Sequence, residues 1–389
     1  MFYIRVSLND MKIKQIAFQD NKWNAVSETQ DFSASQAQLI LAFGERKCLE
    51  EIQPYDYLRS LFPIADIIIN STSGEIYHNS VHEGTIIVTA IEFDRTVIRT
   101  TKIDIQNHLQ SAKAGEKIAQ DLLADDLAAI FIISDGGRVN GSELIAALNE
   151  HTGDRIPISG GLAGDEARFE KTLVGLNEDP KEGKIVGIGF YGTHLNIGHG
   201  TMGGWDVFGP EREVTESEYN VLYKIGDKAA LDLYKEYLGK YADELPGAAL
   251  LFPLSMRTTT EAEPVVRTIL SIDEASKSMT FAGELPKGAL VRFMKANFDR
   301  LIDASASAAQ YSMTLFENPP ELAILVSCVG RRLVLGSRTE EEVEAAREIF
   351  GDKPVITGFY SYGEISPLNP NTRCELHNQT MTITTLSEK

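Results

Sequence analysis

Residues 358–367 read "GFYSYGEISP". A short run of small and aromatic residues ends at Gly363, and a carboxylate, Glu364, follows at once. The chain does something similar in three other places. "NSTSGEIYH" brings Gly74 and Glu75 together, "ISGGLAGDEA" brings Gly164 and Asp165, and "MTFAGELPKG" brings Gly283 and Glu284. Glycine lets a chain leave a strand in a backbone conformation closed to other residues. An acid placed next to it either caps the following turn or lines the crevice outside the strand ends, where open α/β sheets take their ligands.

The segments before these pairs set the architecture. "AQLILAFGERKCLEEIQPYDYLRSLFPIADIIIN" reads as strand, loop, helix and strand ahead of Glu75. "LAAIFIISDGGRVNGSELIAALNEHTGDRIPIS" has the same order ahead of Asp165, with Asn140 or Ser142 as the helix cap. "ELAILVSCVGRRLVLGSRTEEEVEAAREIFGDKPVITGFYS" repeats it ahead of Glu364, with Thr339 and Glu342 spaced as a capping box. Runs such as "AIFII" and "AILVS" suit strands covered on both faces. The unit before Glu284 departs from this order, because "EPVVRTILSIDEASKSMTFAGEL" alternates around a polar turn and reads as a hairpin. A further strand follows each acid. "SAKAGEKIAQDLL" and "NFDRLIDASASAAQYSMTLF" read as linking helices. The expected fold is α/β or α+β: two related halves, each with mixed, largely parallel sheets flanked by helices. The polar stretch "GWDVFGPEREVTESEYN" places the boundary so that the halves span 1–210 and 211–389, and the helix in "IGDKAALDLYKEYLGKY" opens the second.

Composition narrows the function. The 389 residues are 43% hydrophobic, enough for full cores, and carry a net charge of −19. Nucleic acid and anionic membrane surfaces both demand a basic face. No apolar run approaches the ~20 residues of a membrane helix, and Arg5, Asn9 and Asp10 interrupt the N-terminal apolar residues, unlike a signal peptide. Cys48, Cys328 and Cys374, without CxxC spacing, fit a reducing cytoplasm.

The familiar chemical motifs do not carry a catalytic reading. "GIGFYG", 187–192, matches a dinucleotide string but runs into an alternating stretch, whereas the fingerprint needs a helix. His78 and His82 lie four apart in a non-helical segment and read as surface-loop residues. Cys328, at a strand end, reads as a buried small hydrophobe, since no activating base is in view. The sequence therefore points to a binding protein, not an enzyme. The alternative is an enzyme using a strand-end carboxylate or Cys328. The candidate ligand site is Glu364 with Arg331, Arg332 and Tyr362, joined by Asp165 from the first half. A carboxylate would meet a ligand ammonium, and an arginine would clamp a ligand carboxylate by bidentate pairing. Strand alternation would let only one of the two arginines face the crevice.

These residues resemble the FIST family over nearly the whole chain. "GGLAGD" at 160–165 looks like the N-terminal half, and "IGHGTMGGWDVFGPEREVTESEYNVLYKIGDKAALDLYKEYLG" like the junction. "VVRTILSIDEASKSMTFAGELPKGALVRF", "SCVGRRLVLG" and "GFYSYGEISPL" look like the C-terminal half. The resemblance implies an intracellular sensory module that binds a small, amino-acid-like ligand and signals through a separate partner such as a histidine kinase. Some proteins of this kind are haem-binding nitric oxide sensors. For that branch His199, among glycines in "NIGHGTMGGW", is the candidate axial ligand.

Overall fold

The computed structural model describes residues 11–368 and 372–389. Arg5, Asn9 and Asp10 lie outside them.

The apolar runs singled out above become the paired centres of three sheets. In the first sheet Leu39–Glu45 runs parallel to Asp66–Thr72, with the helices Arg46–Ile52 and Tyr55–Leu61 between them. In the second, Leu127–Ser134 runs parallel to Ile158–Leu162 across helix Gly141–Thr152. In the third, Leu322–Cys328 runs parallel to Val355–Ser361 across helices Val329–Leu335 and Thr339–Phe350. Each unit then returns antiparallel, as Ile86–Glu92, Lys184–Tyr191 and Met381–Glu388. The sheets are mixed as expected, but they are mostly antiparallel and not largely parallel, with one parallel pair in each of these three and antiparallel pairing elsewhere. All but the last glycine of "GIGFYG" lies inside the strand Lys184–Tyr191, so it opens no phosphate-binding helix.

The inner faces of the three sheets share one core. Leu41 and Phe43 of the first meet Phe131 and Ile188 of the second and Val326 and Phe359 of the third. Helices cover each outer face, through residues such as Leu49 and Leu58, Ile118 and Leu144, and Ala308 and Val343. Burial on both faces leaves no polar side for these strands to show, which is why they are continuous apolar runs. Asn140 caps its helix as expected, accepting from the backbone N–H groups of Ser142 and Glu143.

The units are interlocked at the strand ends. After Asp66–Thr72 in the first sheet the chain crosses over, and Glu75–Tyr77 pairs with Val355–Ser361 of the third. After Val355–Ser361 it crosses again, and Gly363–Pro367 pairs with Ile158–Leu162 of the second. After Ile158–Leu162, Val174–Leu176 pairs with Asp66–Thr72 of the first, closing the ring. Three backbone hydrogen bonds mark the crossings: Ser73 N–H to Tyr360 O at 2.8 Å, Tyr362 N–H to Leu162 O at 3.2 Å, and Gly164 N–H to Ser71 O at 3.0 Å. The relation that organises this body is therefore threefold. One chain half holds two of the units and the other holds one.

The stretch 206–295 stands apart. Its strands form an antiparallel eight-stranded sheet around helix Ala230–Leu238, with a separate core that includes Val214, Tyr234 and Phe293. The expected hairpin before Glu284 is Ile269–Asp273 with Ser278–Phe281.

Close backbone approach fixes one glycine in the second unit. Gly160 sits at φ +136°, and a Cβ there would stand 1.9 Å from the Ile132 carbonyl oxygen. Gly160→Ala should cost at least about 1–3 kcal/mol from backbone strain alone. Denaturant unfolding checks this, and a stability equal to wild type would contradict the packing described.

Candidate functional site

Two of the recurring acids turn out to be one structural position. Glu75 stands opposite Phe359 and Glu364 opposite Gly161, at matching points of the exchanged strands. Glu75 accepts from the Thr72 hydroxyl, and from the Thr85 hydroxyl at 2.7 Å and the Thr85 N–H at 3.4 Å. Glu364 accepts from the Ser361 hydroxyl at 2.6 Å, and from the Thr380 hydroxyl at 2.9 Å and the Thr380 N–H at 3.2 Å. In the remaining unit Val174 takes this place opposite Asn70. Asp165 lies instead in the loop that precedes Val174, and Glu284 lies in the loop between Ser278–Phe281 and Leu290–Lys295 of the fourth sheet.

Both carboxyls are fully buried, and neither forms a salt bridge with an arginine among the described residues. Burial pushes Glu75 up to about 7 and Glu364 up to about 8, against the hydrogen bonds that favour the charged form. The expected pairing of Glu364 with Arg331 or Arg332 is not formed. Glu364 is enclosed at a crossing point, where its hydrogen bonds hold Ser361 and Thr380 together, so it does not face the crevice.

Arg331 and Arg332 lie in the short helix Val329–Leu335, not on a strand end. Helical geometry still sends them different ways. Arg331 is fully buried and binds Glu342, with Nε–Oε2 of 2.9 Å and Nη2–Oε2 of 2.7 Å, and donates to the carbonyls of Gly203 and Leu301. Glu342 also accepts from Ser327 and Tyr360 hydroxyls. Thr339 and Glu342 therefore do not make the expected capping box, because the Glu342 carboxylate neutralises Arg331 instead. Neither Arg331 nor Glu342 is available to a ligand in this arrangement.

Arg332 does reach the crevice. Its guanidinium donates to the Ser73 carbonyl and to the exposed Glu83 carboxylate, and lies 5.7 Å over the Tyr360 ring. Gly74, at φ +128°, leaves room for it, since a Cβ there would stand 2.9 Å from Nη1. A cavity of about 340 Å³ opens beside it, lined also by Glu166, Val329, Leu333 and Thr339. The Tyr362 hydroxyl donates to the Glu166 carbonyl at 3.3 Å, and its ring stacks on Phe169 at 4.7 Å. Asp165 is buried and anchors the same loop, accepting from Arg46 Nε at 2.8 Å, Arg168 Nη1 at 3.1 Å and Lys171 N–H at 3.2 Å. Arg168 reaches on to Glu166 at 2.9 Å. The structure thus brings Arg332, Tyr362 and Asp165 to one crevice, with Arg332 at its wall and the other two behind the Glu166 loop. Sequence reasoning missed Glu166 and Glu83. Glu166 directly follows a singled-out acid, and Glu83 directly follows His82.

The other candidates have separate settings. Cys328 is buried, and burial raises its thiol well above the usual range, as befits a core residue. His78 lies in the turn joining Glu75–Tyr77 and Ser80–His82, His82 ends the second strand, and His82 stacks on Tyr77 at 4.1 Å. Among the described residues there is no group of His, Cys, Asp or Glu that could hold a metal ion. His199, in the strand Leu195–Met202, borders a cavity of about 370 Å³.

With this geometry in view, comparison with known families identifies the class. The FIST N domain matches residues 38–228 and the FIST C domain matches residues 230–367. The chain belongs to the FIST family, which is one of signal transduction and small-ligand sensing. The search of curated proteins found no match. Among solved structures, PurLQS from Thermotoga maritima aligns with 92% of this chain and 67% of its own, at 10% identity and a TM-score of 0.17, too slight a likeness to carry an argument. No helix among the described residues is long and apolar enough to cross a membrane.

Two predictions follow from the buried groups. Glu342→Ala leaves Arg331 buried without a counter-ion and should cost about 3–5 kcal/mol in denaturant unfolding. Glu75 and Glu364 have folded pKa values raised from 4.5 to about 7 and about 8, so the folded state keeps two protons that the unfolded chain releases. Their penalty is absent below the unfolded value and grows as pH rises through the folded ones. Melting temperature should fall from about pH 6.5 to about 8.5, above the range in which the buried His199 and His377, held down to about 4, oppose the trend, and the double variant Glu75→Gln, Glu364→Gln should flatten that fall. An equal slope in wild type and variant would contradict the assignment.

Proposed function

We propose that the chain is a non-catalytic sensor whose ligand is a small amino-acid-like zwitterion bound in the strand-end crevice. Arg332 would take the carboxylate, and Glu166 the ammonium. The observation that carries this reading is the pairing of Arg332. Its guanidinium is half-buried at a cavity wall, and its one carboxylate partner among the described residues is the exposed Glu83. Burial lowers the pKa of Arg332, a sign that the charge there is under-compensated. A ligand carboxylate could replace Glu83 at little cost, because an exposed ion pair contributes only about 0–1 kcal/mol. Tyr362 and Asp165 would act by holding the Glu166 loop. The crevice touches all three units, so an occupant would bear on the crossings that join them. The signal would pass to a separate partner, such as a histidine kinase, and the setting would be cytoplasmic.

The test is a thermal-shift and calorimetry screen of single amino acids on the purified protein. A ligand that binds the folded state alone raises its apparent stability. At least one amino acid should raise the melting temperature of wild type and fail to do so in Arg332→Met. An undiminished shift in that variant would refute the site.

A second reading, a haem-dependent nitric oxide sensor, draws on one observation. Both ring nitrogens of His199 are enclosed and lack a hydrogen-bond partner among the described residues, and burial pushes its pKa down to about 4. A neutral, uncommitted imidazole fits the donor that haem iron needs. Its access does not fit, since no nitrogen opens onto the neighbouring cavity. Haem binding would therefore require this wall to rearrange. Protein purified from cells supplied with haem precursor should show a strong Soret band on this reading, lost in His199→Ala, and a colourless protein would reject it.

A further inference from the structure

The cleft between the threefold body and the fourth sheet holds a charge arrangement that the protein itself leaves incomplete. Helix Gly141–Thr152 and strand Cys374–His377 form one wall, and the strands Leu254–Arg257 and Val265–Arg267 form the other, around about 330 Å³ of space. That volume is at the small end of ligand pockets. Arg267 lies at the bottom, 5% exposed. Its Nε donates to the Glu284 carbonyl at 3.1 Å, and its Nη1 to the carbonyls of Leu376 at 3.1 Å and Val266 at 3.3 Å. Among the described residues no carboxylate lies within salt-bridge distance of this guanidinium, unlike the two other arginines of the cleft. Arg257 is bound to Glu211 at 2.6 Å and Arg373 to Asp154 at 3.0 Å. Nη2 of Arg267 has no acceptor among the described residues and is not enclosed, so it faces the cleft.

A buried guanidinium without a counter-ion is costly, and burial pushes the pKa of Arg267 down to about 10. Around this centre the rim carries the opposite charge. Glu143, Glu263 and Glu375 line the cleft, and no described cation pairs with any of them. Glu284, also lining it, is held by Asn140 Nδ2 at 2.7 Å. The site therefore has one buried donor centre at its base and several carboxylates at its mouth.

We propose that this cleft binds a small monocarboxylic acid with two amino groups, its carboxylate on Arg267 Nη2 and its ammonium groups on the carboxylates of the rim. A dicarboxylate would meet repulsion from Glu143 and Glu375. A diamine without a carboxylate would leave Arg267 unpaired. Because the two walls belong to the threefold body and to the fourth sheet, the bound ligand clamps one against the other. This site is separate from the strand-end crevice and does not rest on that reading.

The test uses L-ornithine and L-lysine as probes in isothermal calorimetry on the full chain, with L-glutamate and putrescine as comparisons. Both diamino acids should bind at least about tenfold more tightly than either comparison, the ratio expected for one charge-assisted hydrogen bond. Arg267 holds backbone carbonyls in place, so its substitution threatens the fold. The informative variant is therefore the double change Glu143→Gln, Glu375→Gln. It should weaken binding of L-ornithine by about tenfold with an unchanged ligand-free melting temperature. Diamino acids that bind no better than glutamate and putrescine, or that bind this variant as well as wild type, would overturn the proposal.

Discussion

Three backbone hydrogen bonds, each running from the strand exit of one unit to that of another, are the constraint on which the rest of the structure depends. Ser73 reaches Tyr360, Tyr362 reaches Leu162, and Gly164 reaches Ser71. Each bond by itself contributes about 0.5–1.5 kcal/mol net. Their importance is topological. The exposed edge of a sheet is a row of unpaired backbone groups, and here one side of each of the three sheets is extended by a strand donated from a neighbouring unit. No unit completes its own sheet. The shared core behind the sheets reinforces this, since Phe43 and Phe359, from different units, pack with ring centroids 4.8 Å apart.

The crossings also explain the polar residues that the core tolerates. A chain that turns out of one sheet into the next frees backbone N–H groups at a buried point. A carboxyl of the right reach can gather them. Glu75 and Glu364 do this with the same set of partners, a hydroxyl three residues back and the N–H and hydroxyl of a threonine at the start of the next long strand. The unit that has Val174 in this place uses a longer loop instead. That loop carries Asp165, Glu166 and Arg168 to the crevice, so the departure from threefold likeness is what supplies the polar wall beside Arg332.

Much of this was legible in the sequence. The Gly-acid pairs marked the exits, and the order of strand, helix and strand before Glu75, Asp165 and Glu364 marked the three units. The alternating segment before Glu284 marked the hairpin that belongs elsewhere. The exchange of strands was not legible, because pairing between distant segments leaves no local pattern, and a short strand such as Glu75–Tyr77 reads the same whichever sheet it joins. The site was legible in part. "SCVGRRLVLG" allows either a strand end or one turn of helix, and only the fold shows that Arg331 turns inward and Arg332 outward. The spacing of Thr339 and Glu342 satisfied the capping pattern, yet the buried guanidinium of Arg331 claimed the carboxylate. Arg267 gave no signal at all, since a single arginine in an alternating strand ordinarily points to solvent.

Native-state hydrogen exchange at the crossings tests the central claim most directly. If the three units close one another, the amides of Ser73, Gly164 and Tyr362 should open only with global unfolding, with equal free energies that match denaturant measurements. Exchange of one of these amides well before the other two, at a free energy clearly below the global value, would show that a unit opens alone and would contradict the interlocked ring.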